Sequence, residues 1–230
     1  MSNSVPWITY HGVQLHHVSA NGAYCYTTSH VGIDADGAPN AYGPSNTGLD
    51  FNANAGYPDG SWESVLVADP HDRDKPYQQP DGPFRGFFVT QTSLKDNISP
   101  DTSPAKYVDA SKIPYIVFPG DFYRLRGTGH MGDLAMVRNL SNGKTSAAIV
   151  ADQGPSSAPL GEISIKLASN LGGTNPNPRN GSGAPTGQIQ YVLFPGSRQR
   201  PAWPLTATQI DDLAAAALQE IGGWSAIPDH

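Results

Sequence analysis

A single cysteine, Cys25, in 230 residues rules out an intrachain disulfide and a cysteine-built zinc site. Long apolar runs are missing too. Nothing approaches the roughly 20 consecutive residues that span a bilayer as a helix. The opening residues, MSNSVPWITYHG, have neither the basic n-region nor the apolar h-region of a secretory signal. Charge is sparse, 15% of residues, and leans acidic, with 14 Lys and Arg against 20 Asp and Glu for a net charge of −6. No basic stretch is available to neutralise phosphates, so neither nucleic acid nor a membrane is expected as a partner. A mildly acidic surface favours a cationic one.

What the chain has instead is turn chemistry. Its 25 glycines and 21 prolines make up a fifth of the sequence, which argues against a helical bundle and for short strands joined by many turns. No linker-like stretch divides it, so residues 1–230 are expected to form one domain, and a monomer. Short strands are predicted at Trp7–Tyr10, Val13–Val18, Ala23–Thr27, Trp62–Ala68, Phe87–Thr92, Ile113–Phe118, Leu134–Val137, Ser146–Ala151 and Ile189–Phe194. Asn21-Gly22 and Asn142-Gly143 supply hairpin turns. The loops Tyr42–Gly60 and Asp69–Pro83 are long for a compact domain, which marks them as builders of a binding surface. Two helices are predicted. A short one runs near 162–171, stopped by Gly172. A longer one runs over 207–221, with a capping-box pattern at Thr206 and Gln209 and an apolar stripe of Ile210, Leu213, Ala214, Ala217, Leu218 and Ile221.

The stretch Ser146–Gly172, SAAIVADQGPSSAPLGEISIKLASNLG, carries the candidate chemistry. An apolar strand delivers Asp152 to its end, and after a Gly-Pro turn Glu162 stands at the predicted helix start. Two carboxylates so spaced suit the flanks of one glycosidic bond. They equally suit capping of a turn and a helix. Asp34 and Asp36, two residues apart at a strand end, point to one face if extended. Their spacing resembles the start of a calcium loop, but the closing ligands are absent, and no metal or cofactor is expected. His16 and His17 adjoin on a strand and face opposite ways, so they do not share a metal. Ser64, Ser93 and Cys25 lack a nucleophile-elbow context.

The succession Ile33-Asp34-Ala-Asp36-Gly37, Tyr107-Val-Asp109 before Ile113-Pro-Tyr-Ile-Val, Gly132-Asp133, Gly143-Lys144, Ala148-Ile149, Asp152, Gly154-Pro155, Gly161-Glu162 and Ser164 resembles the family 75 chitosanases, over roughly residues 24–195. The resemblance implies a mainly β fold built as a compact, double-psi-like β-barrel with long loops, and the helix over 206–222 packed on it. It implies endo-hydrolysis of the β-1,4 links of chitosan with inversion, with Asp152 and Glu162 as the catalytic pair. It also implies secretion, although fungal members carry a signal peptide and several cysteines that this sequence does not show. Chitosan is a polycation, so further acids are expected to bind its ammonium groups; Asp34, Asp36 and Asp109 are the candidates. Tyr42 and Trp62, with Tyr57 and Phe84, are candidates for stacking on sugar rings or for anchoring loops. A helix start at Glu162 would favour its charged form and make it the base, leaving desolvated Asp152 as the acid. The alternatives are hydrolysis of another amino-sugar polymer, such as peptidoglycan glycan, or a carbohydrate-binding protein on the same fold.

Overall fold

The computed structural model describes residues 4–228. Nine strands form one sheet: β1 (Val5–Tyr10), β2 (Val13–His17), β3 (Tyr24–Thr28), β4 (Gly32–Asp34), β5 (Tyr115–Pro119), β6 (Leu134–Asn139), β7 (Thr145–Gly154), β8 (Glu162–Ser164) and β9 (Ile189–Phe194). They pair in the order β1-β2-β3-β9-β6-β7-β5-β8-β4. The fold is mainly β with long loops, as the composition requires. The sheet is not closed, and β1 and β4 are its edges, whereas the resemblance implied a barrel. Most neighbours run antiparallel, but β5 pairs with β7, and β4 with β8, in parallel.

Strand alternation divides the apolar side chains between two cores. On one face Cys25, Tyr115, Leu134, Met136, Ala147, Ile149, Ala151 and Val192 pack with the long loops and the C-terminal helix α3 (Ala207–Glu220). On the other, Tyr24, Tyr26, Ile116, Phe118, Ala148, Val150 and Tyr191 pack with Phe122 of α1 (Gly120–Tyr123) and Leu167 and Ala168 of α2 (Ile165–Asn170). Helix α3 starts with the expected capping box, Thr206 Oγ1 accepting from Gln209 N at 3.2 Å and Gln209 Oε1 from Thr206 N at 2.9 Å. Its buried Ile210, Ala214 and Leu218 lie on the first core, beside β6 and β7.

Two expectations are corrected. The segments Trp62–Ala68 and Phe87–Thr92 form no strands. Trp62–Ser64 is a 3-10 turn, and only isolated bridges join Leu66 to Thr90, Ala68 to Pro76 and Gln78 to Phe88. Proline at 76 cannot donate to a ladder, and the backbone turns at Gly82 and Gly86 before a run can build. The predicted helix over 162–171 is a strand and then a shorter helix. Glu162–Ser164 pairs with Gly32–Asp34, and α2 begins only after Ser164, whose Oγ accepts from Leu167 N at 3.1 Å as the N-cap.

Candidate active site

The carboxylates converge on one cavity of about 740 Å³. Its strand wall is Gly32, Ile33 and Asp34 of β4, Val117 of β5, Asp152–Gly154 of β7 and Glu162 of β8. Its loop wall is Tyr42, Asp50, Asn54 and Pro178–Gly181, and Ser93 borders Asp152.

Sheet register places the pair. Ile116 of β5 pairs with Val150 of β7, but the next residue, Val117, pairs with Asp152, so β7 carries one extra residue at Ala151. In a regular strand of the same sequence Asp152 would follow Ala148 and Val150 onto the far core; the bulge turns both Ala151 and Asp152 to the cavity side. On the other edge of β5, the antiparallel pairing of Ile116 with Ile163 brings Val117 alongside Glu162. Asp152, Val117 and Glu162 thus form a row across three strands, which sets the two acidic residues about 9–10 Å apart at the backbone. Gly161, just before Glu162, has φ +118°, and a Cβ there would stand 2.1 Å from the His30 carbonyl oxygen, so only glycine lets the chain enter β8 this close to β4.

The two acids are held differently. Asp152 Oδ1 accepts three hydrogen bonds, from Ser93 N at 2.9 Å, Ser93 Oγ at 2.7 Å and Gln153 N at 2.7 Å. Burial raises the Asp152 pKa above the usual aspartate value, and these three donors oppose the rise. The Glu162 side chain accepts no hydrogen bond from the described residues. Burial, then the charges of Asp152 and Asp50, push it up to about 7.

Asp34 and Asp36 both line the cavity, but not through the extended geometry expected of their spacing, since β4 ends at Asp34 and Asp36 lies in the turn that follows. Asp34 Oδ1 accepts from Asp36 N at 2.8 Å, and its Oδ2 from the Tyr115 hydroxyl at 3.0 Å. Asp36 Oδ1 lies 3.2 Å from Thr90 Oγ1, and the Tyr42 hydroxyl is within hydrogen-bonding reach of both Asp36 and Asp50. Burial and then neighbouring carboxylates drive the pKa of both Asp34 and Asp36 well above the usual range. Oxygens of Asp34, Asp36 and Asp152 lie within 4.8 Å of one another, close enough for one small cation, a metal ion or an ammonium group, to touch all three.

Four predicted residues, Asp109, Trp62, Tyr57 and Phe84, do not line the cavity. Asp109 caps a turn, accepting from Ser111 N at 2.9 Å and Ser111 Oγ at 2.5 Å and pairing with Lys112 at 3.0 Å. Trp62 is buried in the first core, edge-on to Tyr57 with ring centroids 5.9 Å apart; it anchors a loop. Tyr42 is buried and lines the cavity beside Asp36 and Asp50. Of the two long loops, Tyr42–Gly60 supplies lining residues and Asp69–Pro83 supplies none. Cys25 is buried, its thiol pushed up to about 11 by burial, which makes it inert. Asp50, Ser93, Tyr115 and Arg179 went unmarked as participants. Asp50 sits in a loop flagged for binding, but nothing in the order of its neighbours distinguishes it.

A family model described as fungal chitosanase of glycosyl hydrolase group 75 matches residues 32–223, taking in the whole strand wall of the cavity and, beyond residue 195, helix α3. No curated protein matches the chain.

Proposed function

We propose that this chain, which belongs to the fungal chitosanase family of glycosyl hydrolase group 75 and is therefore a glycoside hydrolase, cleaves internal β-1,4 links of chitosan with inversion, using Glu162 as general acid and Asp152 as general base. The observation that carries the assignment is the contrast in hydrogen bonding. Asp152 holds three donors on one oxygen, which favour the carboxylate that must take a proton from water. Glu162 has none among the described residues and is pushed up to about 7, so it keeps the proton that the leaving oxygen needs. This reverses the roles that a helix start at Glu162 would have given, because Glu162 lies in β8 ahead of the helix and burial dominates its environment.

A backbone separation of about 9–10 Å across two strand spacings leaves room for a water between carboxyls that reach into the cavity. Inverting enzymes need roughly 6.5–9.5 Å between the carboxyl groups. The remaining acids suit a polycationic substrate: Asp34, Asp36 and Asp50 give one cavity five carboxylates with Asp152 and Glu162, and its one basic lining residue is Arg179. Peptidoglycan glycan, a less cationic polymer, would gain little from such a wall. Among the described residues no helix is long and apolar enough to cross a membrane, and secretion with action as a monomer on an external polysaccharide fits the family.

The test is release of reducing ends from chitosan, chitin and peptidoglycan in parallel, with the anomer first released followed by NMR. Chitosan is expected to be cleaved best, with product of inverted configuration. Equal activity on peptidoglycan would overturn the substrate, retained configuration the mechanism, and no hydrolysis at all the catalytic reading.

A further inference from the structure

Asp50 reaches the cavity from the loop wall, apart from the row that holds the catalytic pair. Its backbone N–H donates to Ala41 O at 2.9 Å, and its Oδ1 accepts from Phe51 N and from Asn54 Nδ2, each at 2.7 Å. The carboxylate is buried, with 5% of the residue exposed, yet it borders the cavity. Its orientation is therefore fixed before any ligand arrives.

A buried carboxylate is costly unless a countercharge meets it. The one arginine of the cavity wall is near, but it is committed elsewhere. Its guanidinium donates to the carbonyls of Asn46 at 2.6 Å, of Leu49 at 3.3 Å and of Gly48, and lies 4.7 Å over the Phe51 ring. Asp50 forms no ion pair with it or with any other described residue. Arg179 thus ties down the loop that carries Asp50 across 130 residues of sequence, and its charge acts on the acid from a distance without closing an ion pair. Asp34 differs, since a protein donor sits on each of its oxygens within 3.0 Å, whereas the 2.7 Å bonds to Asp50 both fall on Oδ1. An uncharged sugar would give Asp50 nothing to compensate its charge, whereas an ammonium group would.

We propose that Asp50 is the residue that recognises the ammonium group of a glucosamine unit bound beside the catalytic pair, and that Arg179 is the positioning residue that holds it there. The inference rests on the chitosan reading above. It assigns substrate selectivity to the loop wall and chemistry to the strand wall.

Asp50→Asn keeps the shape and removes the charge. On a fully deacetylated hexamer it is expected to raise KM about tenfold, the scale of one hydrogen bond to a charged group, with kcat within a factor of two. On partly acetylated chitosan, mass spectrometry of the new chain ends is expected to find glucosamine at one fixed position from the cut with the natural protein, and either sugar there with Asp50→Asn. Titration of the deacetylated hexamer into Glu162→Gln, with and without Asp50→Asn, reads the same loss without turnover. Arg179→Lys should relax the same position to a smaller degree. Should Asp50→Asn fail to fold, Asn54→Ala, which removes one orienting donor from a solvent-facing residue, carries the same expectation at reduced size. Unchanged KM with unchanged end sugars, or equal losses on deacetylated and acetylated substrates, would overturn the assignment alone. A natural protein that leaves chitosan intact would overturn it together with the reading it rests on.

Discussion

The two walls of the cavity reach the same precision by different means. In the strand wall, Asp34, Asp152 and Glu162 are placed by backbone pairing, so each position follows from register along β4, β7, β5 and β8. In the loop wall, Tyr42, Asp50 and Asn54 sit on a segment with no strand of its own, held by side-chain hydrogen bonds and by the Arg179 clamp on three carbonyls. Register moves only when a whole strand moves. A clamp of one side chain can be altered by one substitution. Under the proposed function the chemistry falls to the rigid wall, where catalytic groups must be held closely, and the recognition of substrate variants to the adjustable one.

Four substitutions test this contrast, beginning with the most severe. Glu162→Gln and Asp152→Asn are each expected to lower kcat by about 10³-fold, within the range that general acid and base groups contribute, with little change in KM. A larger loss of kcat from Asp50→Asn than from either would invert the division of labour between the walls.

Next comes the cost of keeping Glu162 protonated. Its folded pKa of about 7 lies above the ordinary glutamate value of 4.5. Between those values the folded protein binds more protons than the unfolded chain. Stability from this group is therefore fully present below pH 4.5 and is lost as pH rises through 7, by about 3 kcal/mol in all. Urea unfolding at pH 4.5 and pH 8 should show the decline in the natural protein and a flatter profile in Glu162→Gln; identical slopes would remove Glu162 as its source. Activity should fall as pH rises through about 7, since the acid must be protonated to donate.

Ser93→Ala removes one of the three donors to Asp152 and leaves the backbone N–H in place. The Asp152 pKa should rise, moving the acid limb of the kcat profile to higher pH, and kcat at the optimum should fall about tenfold. An unmoved acid limb would show that Asp152 is not the group that must ionise.

Arg179→Lys is expected to be mildest. A lysine supplies one point of contact where the guanidinium meets three carbonyls, which should cost about 1 kcal/mol and lower Tm by about 2–4 °C in a chain of this length. A Tm loss larger than that of any strand-wall variant would make the clamp a part of the fold rather than of the cavity wall.

Legibility in the sequence divides along the same line. The strands Leu134–Asn139, Thr145–Gly154 and Ile189–Phe194 announce themselves as apolar runs, two of them joined by Asn142-Gly143, and α3 announces itself by its stripe and capping box. The ordered motifs singled out Asp152 and Glu162, which do share one cavity, while Asp34 and Asp36 meet there through a turn rather than through the strand alternation their spacing suggested. Glu162 was placed in the wrong element for a physical reason. Ile163, Leu167, Ala168 and Leu171 have helical spacing, but parallel pairing with β4 captures the first three residues, 162–164, and the helix starts one turn late. That pairing is a tertiary effect which local periodicity does not register. Asp50 and Arg179 lie in Gly-, Asn- and Pro-rich loops with no period at all, and their meeting depends on how two distant loops are packed.

The extra residue at Ala151 has a consequence for how this site can be lost. Amino-acid exchange along β7 removes a functional group but leaves its place intact. Deleting the single alanine at 151 would keep every acid of the cavity in the chain and leave Val150 opposite Ile116 and Asp152 opposite Val117, so it would take away only the local bend and twist that the unpaired residue gives β7. By register alone, then, the site withstands that loss better than it withstands substitution of Asp152 or Glu162.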